Sequence, residues 1–167
     1  PAADGVPALL ALDAAVEIAG AGASDAPRRL PLGRFIVGPR RTALRPGELV
    51  VALHVPRPAR PATGAFVKLG ARRYLVISIA MASAVLEVDG DTVAAARVAV
   101  GACSPVAQRL PALEADLAGR PLADLSSVVA DRHLAPLAPI DDVRGSAGYR
   151  RDVVVTLLQR LLGGFAP

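Results

Sequence analysis

Cysteine and aromatic residues are scarce in this 167-residue chain, and each scarcity excludes a class of site. A single cysteine, Cys103, excludes an internal disulfide and any zinc or iron–sulfur centre built on several cysteines. We expect its thiol to be a small buried hydrophobic group, and the lack of disulfides fits either a reducing cytoplasm or a chain that is indifferent to the redox environment. With no tryptophan, two tyrosines and three phenylalanines, the chain offers few stacking platforms for nucleic acid. No apolar run reaches the roughly 18 residues needed to span a bilayer, so no membrane segment is predicted.

The familiar catalytic motifs are also missing: GxSxG, HExxH, the P-loop, GxGxxG and any cluster of His and Cys. The carboxylates of Asp141 and Asp142 precede Arg144 and a predicted helix start, which favours a structural role over acid/base chemistry. His54 is predicted to be a half-exposed strand residue without an acidic partner, and His133 a cation in the last turn of a helix. Any enzymatic function is therefore expected to depend on a cofactor.

Positive charge is concentrated in one part of the chain. The segment from Arg28 to Arg73 holds eleven basic residues against one acid, Glu48, which is a net charge of +10. The remaining residues, eight basic and fourteen acidic, carry −6. The basic segment predicts an anionic ligand such as a pyrophosphate, or an acidic protein partner, although arginines that only solvate the surface would give the same composition.

Lys68 is the only lysine in a chain whose other eighteen basic residues are all arginine. Arginine presents a wide planar fork, whereas lysine presents a compact ammonium on a thin stem. A surviving lysine can mean that a compact ammonium is required at that position, or simply that one lysine remains by chance. Composition alone does not decide between these two interpretations.

The first part of the sequence predicts a helix at Val6 to Leu12 and strands at Ala15 to Ala19 and Leu49 to Val55, joined by a loop from Gly20 to Pro27. Three prolines between residues 56 and 61 predict a stiff linker and a domain boundary near residue 60. Because the chain starts with Pro1 and contains a single methionine, Met81, we expect it to be a fragment or a processed chain.

The second part predicts an α+β domain. Extended segments are expected at 65–69, 75–87 and 92–101, with a hairpin at 89–91, followed by helices at 112–118 and 123–133. The final helix is predicted from an N-cap at Ser146 and from leucines and valine at helical spacing up to Gly163 and Gly164. The prediction is a three-stranded antiparallel β-meander packed on a helical layer, at residues 61–167.

Four segments resemble one known family, in its order and spacing. They are Pro1-Ala-Ala-Asp4 with Val6-Pro-Ala-Leu-Leu10, Gly38-Pro-Arg-Arg-Thr-Ala-Leu-Arg-Pro-Gly-Glu-Leu49, Phe66-Val-Lys-Leu-Gly-Ala-Arg-Arg73, and Pro139-Ile-Asp-Asp-Val-Arg-Gly-Ser-Ala-Gly-Tyr-Arg150. The chain is similar to the FAD-binding medium subunits of molybdenum hydroxylases, the xanthine dehydrogenase and carbon monoxide dehydrogenase group. The resemblance implies that residues 1–60 are the C-terminal part of an FAD-binding domain, truncated at its N-terminus.

The resemblance also implies a site and a set of partners. Asp4 matches an aspartate that touches FAD, Val50 an apolar residue whose backbone lies against it, and Lys68 a lysine beside the isoalloxazine ring. The glycine-rich AGGTDL-like loop and the GGN-type segment that grip the pyrophosphate are missing, so we expect this fragment to bind FAD weakly or not at all and to be inactive. The implied partners are a molybdenum–pterin large subunit and a small subunit with [2Fe–2S] clusters, whose electrons leave through FAD to an external acceptor.

Two questions stay open. The loop from Arg72 to Ile77, which the resemblance places past the ring, has Tyr74-Leu75-Val76 where animal xanthine dehydrogenases have acidic residues, so the electron acceptor is not specified. The rival hypothesis is a non-enzymatic α+β interaction domain that docks its basic face on an acidic partner. That hypothesis explains the charge distribution but treats Lys68 as accidental.

Overall fold

A computed structural model describes residues 3–20 and 26–166, so most of the predicted loop at 20–27 lies outside the described residues. The helices are α1 (Gly5–Ala11), α2 (Leu32–Phe35), α3 (Pro111–Leu117), α4 (Leu125–Val128) and α5 (Ala147–Gly163), with 3₁₀ turns at Leu122–Asp124 and Asp131–Leu134. The strands are β1 (Ala15–Ala19), β2 (Arg28–Pro31), β3 (Ile36–Gly38), β4 (Arg41–Thr42), β5 (Leu49–His54), β6 (Ala62–Leu69), β7 (Ala80–Asp89), β8 (Thr92–Gly101) and β9 (Gln108–Arg109).

Residues 15–19, 28–31 and 49–54 build a small antiparallel sheet in the order β2-β1-β5, and residues 36–42 form a separate β3-β4 hairpin. Strand β1 alternates as predicted, with Val16 and Ile18 buried. These two side chains form an apolar cluster with Leu10 of α1 and with Leu32 and Phe35. The predicted first helix and both predicted strands are confirmed within one or two residues.

The second part is built on a larger antiparallel sheet in the order β6-β7-β8-β9. Eight consecutive residues of β7 are buried, which means that both faces of this central strand are covered. Helix α1 lies against β7 and β8, and helix α5 lies against β6 and β7. Small side chains such as Ala82 and Ala84 let the main core close between the sheet and the helices.

Helix α5 follows the sequence pattern closely. The Ser146 side chain accepts a hydrogen bond from the Tyr149 amide, which makes Ser146 the N-cap. The five apolar residues at helical spacing are all buried in the core, namely Val154, Leu157, Leu158, Leu161 and Leu162. The predicted α+β class and the predicted final helix are therefore confirmed.

The predicted sheet of the second part differs from the structure in two respects. The middle strand begins at Ala80 rather than at residue 75, because residues 70–79 form a folded loop despite their β-branched side chains. A short fourth strand, β9, also extends the predicted three-stranded sheet.

The helix predicted at 123–133 is broken into α4 and two 3₁₀ turns, and His133 lies in the last turn of the second of these. Its side chain is completely buried. Its Nδ1 accepts a hydrogen bond from the Ala130 amide, and its Nε2 lies 2.9 Å from the Asp116 carboxylate. This arrangement joins the segment after α4 to α3.

Two arginines fix helix α1 against the large sheet. Arg97 donates to the Ala11 carbonyl and Arg109 donates to the Leu10 carbonyl, at the negative end of the helix. The Asp13 carboxylate lies between them, 2.7 Å from Arg109 and 3.5 Å from Arg97. These contacts set the position of α1, and with it the position of Asp4 at the start of the helix.

Candidate functional site

Lys68 lies near the end of β6, opposite Met81 of β7, and its side chain is 25% exposed. Its ammonium donates to the Asp4 carboxylate at 2.5 Å and to the Val76 carbonyl at 2.8 Å. An ammonium carries three donors, so two of them are used and one is left over among the residues that the structure describes. The contact with Asp4 joins residues 64 positions apart in the sequence.

Asp4 occupies the N-cap position of α1 but makes no capping hydrogen bond. Its carboxylate turns toward the loop between β6 and β7, where one oxygen accepts from Lys68 and the other accepts from the Ser78 hydroxyl at 2.8 Å. Burial acts to raise the pKa of Asp4, but the hydrogen bonds from Lys68 and Ser78 and the charge of Lys68 outweigh it and lower the pKa below its ordinary value. We call Asp4, Lys68, Ser78 and the Val76 carbonyl the Asp4–Lys68 cluster.

The loop at residues 70–79 is folded tightly onto the cluster. A Cβ atom on Gly70 would lie 2.5 Å from the Val76 side chain, so a residue without a side chain permits this approach. Arg72 donates to the Leu75 carbonyl, and the Ile79 amide donates to the Leu69 carbonyl to close the loop. The loop therefore holds Val76 and Ser78 inward, while Leu75 is 92% exposed.

Val50, the third predicted site residue, lies in the other sheet. It belongs to β5, pairs with Ile18 of β1 and is 41% exposed. Along β5 five apolar residues in total are at least 41% exposed, namely Leu49, Val50, Val51, Leu53 and Val55 just beyond the strand. The structure thus brings Asp4 and Lys68 into contact, and it does not bring Val50 into the hydrogen-bonded cluster.

A cavity of about 400 Å³ adjoins the loop. Ile77 and Ser78 line one side, and Asp142, Arg144 and Arg150 line another. Arg150 is 3% exposed and donates to the Ile79 and Ala102 carbonyls and to Asp142. The predicted structural role of the acidic pair is confirmed for Asp142, which accepts from Arg144 and Arg150; the other member, Asp141, accepts from the Ala147 amide at the start of α5.

Two further sequence expectations have clear outcomes. Cys103 is buried as predicted, and burial raises the pKa of its thiol to about 11, which keeps it protonated and unreactive. The expectation that His54 has no acidic partner is wrong: its Nε2 lies 2.6 Å from Glu17, which also binds Arg29. The neighbouring strands β1 and β5 bring Glu17 and His54 together although 37 residues separate them in the sequence.

Acid pH should weaken the fold through two carboxylates outside the Asp4–Lys68 cluster. Hydrogen bonds from the Arg28 side chain and the Arg45 amide lower the pKa of Glu48 from 4.5 to about 2. The Arg144 amide, with Arg150 and Arg144 side chains, lowers the pKa of Asp142 from 3.8 to about 2. Because both pKa values are lower in the folded state, this stability is present above the unfolded values and is lost as the pH falls toward about 2.

We therefore expect urea midpoints to fall steeply between about pH 4.5 and about pH 2. The double variant Glu48→Gln, Asp142→Asn should be less stable at neutral pH and should show a flatter profile over that range. A double variant whose profile runs parallel to that of the unmodified chain would contradict this assignment.

The Asp4–Lys68 cluster is suited to hold an electron-rich ligand. Within the described residues it offers a partly exposed ammonium with a third donor unused, held by an ionised carboxylate and by the Val76 carbonyl of the loop. Among residues 3–20 and 26–166, no group of three His, Cys, Asp or Glu side chains could hold a metal ion. Within the same residues, no helix combines the length and the apolar character needed to cross a membrane. An ammonium donor cannot coordinate a metal ion and suits a ligand that carries or develops negative charge.

Ser78 is the cluster member that the sequence does not reveal. The segment that resembles the family's ring-side loop ends at Ile77, one residue earlier, and serine carries no distinctive pattern. Only the folded chain shows its hydroxyl directed at Asp4, 74 residues away.

Comparison with known proteins agrees with the sequence resemblance. Residues 65–164 match the CO dehydrogenase flavoprotein C-terminal domain, and residues 1–58 match the FAD binding domain in molybdopterin dehydrogenase. The nicotine 6-hydroxylase medium subunit of Paenarthrobacter nicotinovorans is 30% identical over 92% of this chain and 53% of its own length. The 6-hydroxypseudooxynicotine dehydrogenase complex subunit alpha of the same organism is 31% identical, over 92% and 51%.

Solved structures show the same fold. The carbon monoxide dehydrogenase of Hydrogenophaga pseudoflava matches with a TM-score of 0.82 and 26% identity, over 97% of this chain and 55% of the other. The quinoline 2-oxidoreductase of Pseudomonas putida 86 matches with a TM-score of 0.80 and 25% identity, over 96% and 55%. The chain spans about half the length of the curated relatives it matches. By its fold and by the family match that covers most of its length, the chain belongs to the FAD-binding medium subunits of the molybdenum hydroxylases, the group that includes the flavoproteins of carbon monoxide dehydrogenases.

Proposed function

We propose that this chain is the C-terminal portion of an electron-transfer subunit that binds FAD within a molybdenum hydroxylase. Residues 1–60 contribute to the FAD-binding domain, and residues 61–167 form the flavoprotein C-terminal domain. Electrons reach the subunit from the [2Fe–2S] clusters of a small subunit, originate at a molybdenum–pterin large subunit, and leave for an external acceptor. The setting we propose is cytoplasmic. The observation that carries the proposal is the only lysine of the chain, fixed by Asp4 with one donor to spare.

Three residues are proposed to hold the cofactor: Asp4, Val50 and Lys68. FAD, when bound, supplies the redox chemistry by taking up and passing on electrons. Lys68 provides a fixed positive charge that favours negative charge on its ligand. Asp4 and the Val76 carbonyl fix the ammonium, so little reorganisation is needed when charge develops. Val50, on the exposed strand β5, offers backbone and apolar surface.

The rival proposal, a basic face that docks on an acidic protein, has less support. Part of the positive charge is used internally, since Arg28 binds Glu48 and Arg29 binds Glu17. The proposed flavin site also gives Lys68 a role, whereas the docking proposal leaves this residue unexplained.

Flavin titration tests the proposed function. The chain alone is expected to bind FAD weakly or not at all, because the segments that grip the pyrophosphate are missing from it. An extended protein, in which the part of the Paenarthrobacter nicotinovorans nicotine 6-hydroxylase medium subunit that this chain does not span is placed before residue 1, is expected to bind one FAD per chain. Flavin fluorescence quenching and the thermal shift on adding FAD measure both.

Two results would count against this account. Tight stoichiometric binding by the 167-residue chain alone would show that the site is not divided as proposed. An extended protein that is folded by circular dichroism and still fails to bind FAD would contradict a flavin site at the Asp4–Lys68 cluster.

A further inference from the structure

Ser78 occupies an unusual position for a serine at a loop end. It is 1% exposed, and its hydroxyl donates to the Asp4 oxygen that Lys68 does not use. The carboxylate is therefore held from both sides, by an ammonium on one oxygen and by a hydroxyl on the other. Lys68 is the charged side chain that the described residues place in contact with Asp4.

We propose that Ser78 is a positioning residue for Lys68, acting through the Asp4 carboxylate. With its second oxygen bound to Ser78, the carboxylate cannot rotate without breaking a hydrogen bond to an ionised group. The ammonium, bound to that carboxylate and to the Val76 carbonyl, is in turn held in one orientation. The unused donor of Lys68 then points in a fixed direction. The effect of Ser78 on a bound flavin rests on the proposed function, whereas the contacts among Ser78, Asp4 and Lys68 do not depend on it.

The same contacts tie the loop at residues 70–79 to the ion pair of Asp4 and Lys68. Ser78 and Val76 are the two points at which the last part of the loop is bound to the cluster, one through Asp4 and the other through Lys68. Ile77 lies between them and is 47% exposed at the wall of the cavity. Any change that frees Ser78 therefore loosens both the carboxylate and the segment that carries Ile77.

The first experiment needs no flavin and uses the 167-residue chain. The Asp4 side-chain carbonyl is followed by carbon-13 NMR from pH 2 to 7 in the unmodified chain and in Ser78→Ala. Loss of a hydrogen bond to an ionised group is expected to make Asp4 about tenfold weaker as an acid. Ser83→Ala is the matched control: this buried serine of β7 donates to the Ala65 carbonyl instead, and its removal should leave Asp4 unchanged. Ser78→Thr, which keeps the hydroxyl, should restore the acidity of Asp4.

The outcomes separate this inference from the proposed function. An unchanged Asp4 titration in a folded Ser78→Ala chain overturns the positioning role, whatever the chain binds. So does a shift of the same size in Ser83→Ala, because it would reflect general loosening. In the FAD-loaded extended protein, Ser78→Ala should lower the flavin potential in the same direction as loss of Lys68, but by less. If Ser78→Ala raises the pKa of Asp4 but leaves the flavin potential unchanged, the result would count against the flavin site. It would still support the hydrogen bond from Ser78 to Asp4 in the unmodified chain.

Discussion

Replacing Arg150 with methionine is expected to lower the free energy of unfolding by about 3 kcal/mol. The side chain is 3% exposed and forms hydrogen bonds with the Ala102 carbonyl at 2.9 Å, with Asp142 at 2.7 Å and with the Ile79 carbonyl. Methionine fills similar volume but leaves two carbonyls without donors, and Asp142 keeps only Arg144 as a charged partner. Urea unfolding at neutral pH, with the slope checked for constancy, measures the loss.

Arg151→Met is the matched control for Arg150→Met. Arg151 is the next residue of α5, is exposed, and makes one long hydrogen bond of 3.3 Å to the Leu137 carbonyl. Its loss should change the free energy of unfolding by roughly 0.5 kcal/mol or less. Equal effects of the two substitutions would show that the buried contacts of Arg150 do not stabilise the fold.

Removing the charge of Lys68 should lower the midpoint potential of bound FAD. A cation beside the ring stabilises the reduced flavin, which carries more negative charge than the oxidised form. If the ammonium contributes what one hydrogen bond between charged groups does, about 1.5–3 kcal/mol, Lys68→Met should lower the potential of this two-electron couple by roughly 30–60 mV. An equilibrium reductive titration of the FAD-loaded extended protein measures this shift. Lys68→Arg keeps the charge and should recover part of it.

Where local pattern decides the structure, the sequence predicts it well. Helix α5 has a serine N-cap, a regular apolar face and glycines at its end, and all three are local signals. Strand β1 alternates, and its core side chains are buried as expected. In each case residues within one element specify the outcome.

Prediction fails where contacts from outside a segment override its local preference. Residues 75–79 are rich in β-branched side chains, but Gly70 admits the side chain of Val76, and Lys68 binds the Val76 carbonyl, so the segment folds back as a loop. His133 lies in the last turn of a 3₁₀ helix, and its burial beside Asp116 of α3 is what the sequence does not indicate. In both cases a decisive partner, Lys68 or Asp116, lies outside the segment on which the prediction rests.

The candidate site also combines residues that the sequence points to with a contact that only the folded chain shows. The resemblance to the flavoprotein family points to Asp4 and Lys68 separately, but their ion pair spans 64 positions and depends on α1 lying against the large sheet. Ser78 has no sequence signal at all. Its role follows only from the direction of its hydroxyl in the folded chain.

A reductive titration with a matched second variant tests whether Lys68 is the fixed charge of a flavin site. Arg60 lies just before β6, at the end opposite Lys68, and pairs with Asp89 on the surface. We expect Lys68→Met to lower the potential of bound FAD by roughly 30 mV or more, and Arg60→Met to leave it unchanged. Equal potentials in the unmodified protein and in Lys68→Met, with FAD fully bound in both, would contradict this role of Lys68.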